Sequence, residues 1–205
     1  EDLNVETTYL IGKGTGTYLV KKYKTKNMAV GRDVRLSGEA MEKAFIRGIT
    51  ESGINVTKVG LAPSPMIYWA SCAMDFDSAT NITASHNPKQ YNGLKTVTKG
   101  AHSICGDELQ EVLKIIQSKD FHEAETPGKI TEQNIWPEYK KDLLTKAKLG
   151  RPLKIVIDSG NGVAGPFAPE LLRDFGCEVI ELYCDPDGNF PNHEANPEEI
   201  ENMED

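Results

Sequence analysis

Thr83-Ala84-Ser85-His86-Asn87-Pro88-Lys89-Gln90-Tyr91-Asn92-Gly93 lies between two short stretches, 78–82 and 94–97, that read as strands. Its Asn-Pro and Asn-Gly pairs favour tight turns, so the run reads as a loop held at both ends by one sheet. A loop tethered this way can present a single side chain at a fixed point. The chemistry-bearing groups are the Ser85 hydroxyl, the His86 imidazole and Lys95 on the outgoing strand.

Working outward, helices and short strands alternate. A helix is expected over 5–22, with Gly12, Gly14 and Gly16 weakening it and marking close packing against a neighbour. A strand over 28–30 runs into the loop Gly31-Arg32-Asp33-Val34-Arg35-Leu36-Ser37. The next helix, 38–52, presents Ala40, Met41, Ala44, Phe45 and Ile49 on one face, with Ser37 as its cap. A strand at 55–59, a proline-marked turn and a helix at 65–74 lead to strand 78–82. Beyond strand 94–97, a helix over 107–117 carries a stripe of Leu109, Val112, Leu113 and Ile116. This alternation predicts a layered α/β domain.

Residues 123–129 are polar and carry Pro127-Gly128, which places a linker or crossover there. A helix at 134–148, a strand at 153–158, a helix at 166–175 and a strand at 178–182 follow. Phe167, Leu171, Leu172 and Phe175 form the apolar face of the last helix, and Gly176 stops it. Asn196-Pro197-Glu198-Glu199 reads as a helix start with Asn196 as N-cap and Glu199 completing a capping box. Two strands are too few for a stable sheet, so the second domain is expected to be partial.

The chain has 205 residues and a net charge of −8, from 31 acids and 23 bases. That balance argues against a nucleic-acid partner but leaves room for a locally basic pocket. The sequence contains neither a membrane-length apolar run nor an N-terminal leader, so no membrane partner is expected and the cytoplasm is the default location. Cys72, Cys105, Cys177 and Cys184 form no CxxC pair and read as free thiols. The glycosylation triplets at Asn55 and Asn81 fall within or beside strands and read as chance.

Gly160-Asn161-Gly162-Val163-Ala164-Gly165 matches G-x-G-x-x-G between a strand and a helix, and Asp185 lies downstream. An NAD-binding oxidoreductase is one reading. A structural turn is the better one, because any strand-turn-helix needs glycines for positive φ and close crossing. A sugar or anion contact at the helix start is the third.

Ser85 lacks the G-x-S-x-G elbow of hydrolases, and the chain lacks a Walker loop. By local features alone Ser85, His86 and Lys95 are ordinary surface groups; their combination in one turn-rich loop singles them out. If Ser85 carries phosphate, its charge of about −1.5 to −2 calls for cations or Mg²⁺. Lys95 is the candidate cation or proton carrier, and His86 can orient or shuttle a proton.

The run from Thr83 to Pro88 followed by Tyr91-Asn92-Gly93-Leu94-Lys95 resembles the active-serine loop of the α-D-phosphohexomutases. Gly31-Arg32-Asp33 with Arg35-Leu36-Ser37 resembles a second segment of their first domain. Asp187-Gly188-Asn189-Phe190-Pro191-Asn192-His193 resembles a second-domain segment of the phosphomannomutase/phosphoglucomutase branch. The similarity covers essentially the whole chain in order. It implies a mixed-sheet α/β domain over 1–130 and the first part of a similar domain over 131–205. It implies reversible phosphoryl transfer between the 1- and 6-positions of glucose or mannose phosphates, through a phosphoserine at Ser85 and a hexose 1,6-bisphosphate. By the same resemblance His86 assists transfer, Lys95 contacts phosphate or handles a proton, Arg32, Asn87 and Asn92 support the site, and Mg²⁺ binds the Ser85 phosphate. The family's opening Asp-x-x-Arg-Gly segment and its Asp-Gly-Asp-x-Asp-Arg metal loop are not in this sequence. The chain is therefore expected to be an N-terminal fragment, inactive as a mutase by itself; a noncatalytic sugar-phosphate module is the alternative.

Overall fold

A computed structural model describes residues 3–203. Six strands form one mixed sheet in the order β5-β4-β3-β1-β2-β6. They are β1 (Asn27–Arg32), β2 (Asn55–Leu61), β3 (Ser78–Ile82), β4 (Leu94–Thr98), β5 (His102–Ser103) and β6 (Ile130–Glu132). β1 lies parallel to β2 and β3, β2 parallel to β6, and β3 antiparallel to β4 and β4 to β5. The antiparallel β3–β4 pair is what closes the Thr83–Gly93 run as a loop.

Period-two alternation divides the core. Met28 and Val30 face one side with Phe45, Ile49, Val56 and Ile82, under the helices α1 (Val5–Tyr23), α2 (Gly38–Glu51) and α4 (Asp107–Ser118). Ala29 and Ala79 face the other, with Met66, Ile67 and Val97 under α3 (Ser64–Ala73). The layered α/β expectation holds, and the glycines of α1 do mark close packing. A Cβ at Gly12 would lie 2.5 Å from the Phe45 carbonyl oxygen, and one at Gly14 2.5 Å from the Ile116 side chain.

Several local expectations change. Ala40 is exposed, because α2 turns it to solvent while Met41, Ala44, Phe45 and Ile49 face inward. On α4, Val112 is buried but Leu109 and Leu113 are 51% and 43% exposed; Ile115 and Ile116 complete the inner face. Ser37 makes no side-chain cap on α2; its Oγ instead accepts from Asn92 Nδ2 at 2.9 Å. The 123–129 linker is pinned to the first unit: Ala124 N and Gly128 N donate to Glu51 O and Thr50 O. β5 and β6 were not legible in the sequence, being two and three residues long.

α4 is fastened to α1 by a polar knot. Glu108 accepts from Tyr23 Oη at 2.5 Å, Tyr18 Oη at 2.7 Å and Lys22 Nζ at 3.2 Å, and pairs with His102 Nε2 at 3.0 Å. The Tyr23 hydrogen bond first, then the other donors, outweigh desolvation and hold the Glu108 carboxyl down at about 2. A depressed carboxyl contributes stability above its unfolded pKa of about 4.3 and loses it as pH falls towards 2. Glu108→Gln should thus cost about 1–2 kcal/mol at pH 7, with wild type and variant converging near pH 2. Urea titrations across that window check it; a constant gap would remove ionised Glu108 as the cause.

The second unit contains α5 (Trp136–Lys146), β7 (Lys154–Asp158), α6 (Ala168–Asp174) and β8 (Glu178–Leu182), with β7 and β8 pairing in parallel. Trp136 packs against Phe167 with tilted rings 5.0 Å apart and donates to Glu170 at 2.8 Å, so α5 ties α6 to the α3 side of the first core. Gly176, at φ +89°, ends this helix as expected. At the far end Asn196 Oδ1 accepts from Glu198 N at 3.2 Å, and helical geometry begins only as a 3₁₀ turn, Ile200–Met203. The Glu199 side chain makes no capping-box bond among the described residues.

Candidate active site

The sheet hands the chain out at Ile82 and takes it back at Leu94. Thr83 N donates to Gly93 O at 2.9 Å across the neck. Gly93 fits because a Cβ there would stand 3.0 Å from the Thr83 oxygen. Inside the loop, Asn87 N and Nδ2 both donate to Ala84 O, and Tyr91 N donates to Pro88 O. Asn92 Oδ1 accepts from Gly93 N at 2.8 Å. Asn87 and Asn92 therefore shape the loop.

One buried side chain holds that loop from beneath. Arg35 donates through Nη1 to Pro88 O (2.7 Å) and Tyr91 O (2.9 Å), and through Nη2 to Ser85 O (3.0 Å) and Asn87 O (2.6 Å). Its Nε donates to Asp33 Oδ2 at 3.1 Å. All five guanidinium donors are used, and the side chain is fully buried. Asp33 Oδ2 also accepts from Thr83 Oγ1 at 2.6 Å, and that hydroxyl accepts from Ser85 N at 3.0 Å.

The product of this scaffold is Ser85 at φ +59°, a left-handed conformation that costs a non-glycine residue about 1–2 kcal/mol. Ser85 and His86 are exposed and Lys95 is half-buried; all three line one cleft of about 610 Å³. The N-terminal end of α3, at Ser64, lines it too and favours an anion there. Its opposite wall comes from the second unit, where His193 Nε2 pairs with Asp158 Oδ2 at 3.0 Å. The structure thus brings Ser85, His86 and Lys95 together.

Arg32 is not in that cleft. Its Nη1 donates to Asp33 O at 3.3 Å, and its Nε lies 3.9 Å from Glu42 Oε2 in a separate groove with Lys58. The loop support expected of Arg32 comes from Arg35. Arg35, Asp33 and His193 all stood in quoted motifs without a role, because the bonds that bring them into the site, to the Ser85 loop, Thr83 and Asp158, run to residues far away in sequence.

The glycine run is a self-satisfied turn. Gly160 N donates to Asp158 Oδ1 at 2.7 Å and Asn161 N to Tyr183 O at 2.7 Å. A Cβ at Gly165 would lie 1.9 Å from Cys184 O. The helix itself starts only at Ala168, two residues beyond the expected start, so its N-terminus does not follow the glycines directly. Nothing in this arrangement favours a dinucleotide.

Among the described residues, no three His, Cys, Asp or Glu side chains converge to hold a metal ion. Asp33, the nearest acid behind the loop, is already engaged by Arg35 and Thr83.

A family model described as phosphoglucomutase/phosphomannomutase, alpha/beta/alpha domain I, matches residues 1–123, and its domain II counterpart matches residues 137–205. A phosphoglucomutase of Neisseria meningitidis is 42% identical over 203 residues, covering 99% of this chain and 44% of that protein. A phosphomannomutase/phosphoglucomutase of Pseudomonas aeruginosa is 38% identical over 205 residues, with 100% and 43% covered. The crystal structure of a phosphoglucomutase/phosphomannomutase family protein from Burkholderia thailandensis superimposes with a TM-score of 0.90 at 37% identity, over 98% of this chain and 45% of that one. The chain spans less than half the length of these relatives.

Proposed function

The chain belongs to the phosphoglucomutase/phosphomannomutase family, and from that premise we propose that the whole protein moves a phosphoryl group reversibly between the 1- and 6-positions of a hexose phosphate, with Ser85 as its relay. Glucose and mannose 1- and 6-phosphates are the substrates, and a hexose 1,6-bisphosphate is both activator and intermediate. The observation that carries the reading is Ser85 itself: an exposed hydroxyl in a left-handed conformation, on a loop whose carbonyls are gripped by a buried arginine, facing a cleft with Lys95 and His86.

In the forward step the bond from phosphorus to Ser85 Oγ breaks as one forms to the free sugar hydroxyl. The sugar hydroxyl gives up its proton and Ser85 Oγ regains one; we assign that proton's carriage to His86, which lines the same cleft. Lys95 balances charge on the transferring oxygens. The bisphosphate then turns round and returns its other phosphate to Ser85. A preformed backbone matters because transfer of this kind is limited by positioning and charge rather than by covalent help from the protein.

Mg²⁺ is implied by the family, but the described residues do not fit it alone: a Ser85 phosphate oxygen is one donor where Mg²⁺ seeks an octahedral oxygen shell. No step above passes through it. We assign 1–130 to the first domain and 131–205 to the first part of the second, the edge strand β6 that completes the first sheet carrying the chain across at Glu132. This chain by itself supplies the relay serine without the complete cleft, and we expect no mutase turnover from it. The free thiols of Cys72, Cys105, Cys177 and Cys184 support a cytoplasmic setting. Among the described residues no helix is long and apolar enough to cross a membrane.

The test uses the full-length protein with glucose 1-phosphate or mannose 1-phosphate, Mg²⁺ and isotopically labelled glucose 1,6-bisphosphate. Label is expected on the Ser85 peptide of the wild type and absent from Ser85→Ala, with mutase activity lost in the variant. Equal activity in the two proteins overturns the reading.

A further inference from the structure

The floor of the Ser85 cleft contains an amide whose acceptor is left over. Asn81, on β3, is 1% exposed. Its Nδ2 donates to Ala62 O at 3.3 Å and to Ser64 Oγ at 3.0 Å. The carbonyl of Ala62 can only accept, so the amide cannot be turned over, and Oδ1 must point the other way. That oxygen is buried and has no hydrogen-bond partner. A buried acceptor without a donor is unfavourable, and a native structure that keeps one calls for an explanation.

The donor stands directly across the sheet. Asn81 and Lys95 are register partners in the antiparallel β3–β4 pair, so both side chains leave on one face with Cβ atoms about 4.5–5.5 Å apart. Both line the same cleft. No hydrogen bond or ion pair of Lys95 occurs among the described residues, and its four-carbon stem lets the ammonium fold back onto its neighbour or extend towards Ser85. The remaining titratable groups of this cleft are Asp33, engaged by Arg35 and Thr83, His86 beside Ser85, and Asp158, His193 and Glu194 from the second unit.

We propose that Asn81 is a positioning residue: its Oδ1 accepts a hydrogen bond from the Lys95 ammonium and parks that charge beside Ser85 for an incoming phosphate. A neutral acceptor suits this task. A carboxylate at residue 81 would hold the ammonium too firmly to release it, and an apolar side chain would let it swing to Asp158 or Glu194. The hydrogen bond also fixes where the Lys95 ammonium stands, so that it can act as a clamp on the phosphoryl oxygens. The inference rests on the proposed role of Lys95, but its test does not need turnover.

The test is made on this chain without substrate. ¹⁵N-lysine NMR compares the Lys95 ammonium with that of exposed Lys99, and competitive acetylation read by mass spectrometry gives the reactivity of each lysine. In the wild type, Lys95 should be markedly less mobile than Lys99. In Asn81→Leu the Lys95 signal should become as mobile as that of Lys99, and its acetylation rate should rise about three- to tenfold, the scale set by the net worth of one hydrogen bond. Asn81→Asp keeps an acceptor and should restore an ordered, slowly acetylated Lys95. Ser64→Ala removes only a partner of Nδ2 and should leave Lys95 unchanged. A wild-type Lys95 as mobile as Lys99, or one equally reactive in wild type and Asn81→Leu, overturns the proposal whether or not the variants fold well. Failure of Ser85 to take up phosphate would sink the mutase reading and leave these lysine measurements standing.

Discussion

Arg35→Met is expected to lower the stability of the chain by about 3–5 kcal/mol and to slow phosphate uptake by Ser85 about a hundredfold. The stability loss comes from what the arginine leaves behind. Asp33 is 7% exposed, and without the guanidinium its carboxylate keeps only the Thr83 hydroxyl and the Arg35 backbone amide. The carbonyls of Ser85, Asn87, Pro88 and Tyr91 lose their common donor at the same time. Breaking a buried pair from one side in this way is far costlier than deleting both partners. Uptake falls for a different reason. Without the bond to Ser85 O, the φ of +59° is held only by Ser85 N on Thr83 Oγ1 and the Asn87 bonds to Ala84 O, and displacing a reacting atom by about 1 Å is enough for a hundredfold loss. Arg35→Lys restores the charge but has only three donors on one atom, so it cannot span the four carbonyls; it should recover stability in part and uptake hardly at all. Urea denaturation and hydrogen exchange over residues 83–93 separate the two effects. A loss below about 1 kcal/mol with unchanged exchange in that segment would show that the loop holds its shape without the arginine.

How far the sequence discloses this arrangement depends on the range of the interaction that creates each part. The Ser85 loop was legible because its determinants are local: Asn-Pro, Asn-Gly and two flanking strands within one short segment. β3 and β8 were readable to the residue for the same reason. The clamp was not. Arg35 and the carbonyls it grips are 50 to 56 residues apart, so nothing near either marks the bond. Arg32, three residues earlier, carries the same charge and sits in a neighbouring groove; only the fold tells the two apart. β6 was missed because three exposed residues have no burial pattern, and it is a strand only because β2 offers it an edge. Leu109 and Leu113 were misjudged for the opposite reason. Helical spacing shows that α4 has an apolar side, but not how wide a strip α1 covers. Asn81 looked like half of a chance glycosylation triplet, and its place under the cleft follows from its register with Lys95.

The second large effect is expected at Gly48, where two ordinary arguments point in opposite directions. Gly48 lies inside α2, where alanine is favoured by about 1 kcal/mol from helix propensity alone. Against that, a Cβ at Gly48 would lie 2.5 Å from the Tyr9 carbonyl oxygen, 2.6 Å from Lys13 N and 2.8 Å from the Gly12 carbonyl carbon. All three are backbone atoms of α1, so no side chain can swing aside; the helices themselves must part. Overpacking costs about 1–3 kcal/mol even where rotamers can adjust, and rises when backbone has to move. The clash therefore outweighs the propensity, and Gly48→Ala should destabilise by about 2–4 kcal/mol, which for a chain of this size is a fall of about 5–15 °C in Tm. Gly12 sits across the same contact, its own Cβ position 2.5 Å from Phe45 O, so once either substitution has separated the helices the other should add little. The displacement also has somewhere to go: α2 begins at Gly38, three residues after Arg35, so loosened packing of α2 should quicken exchange in the Ser85 loop. Gly150→Ala is the control, since a Cβ there meets nothing within 4 Å. If Gly48→Ala melts with Gly150→Ala, the contact between α1 and α2 has a slack that these backbone distances deny.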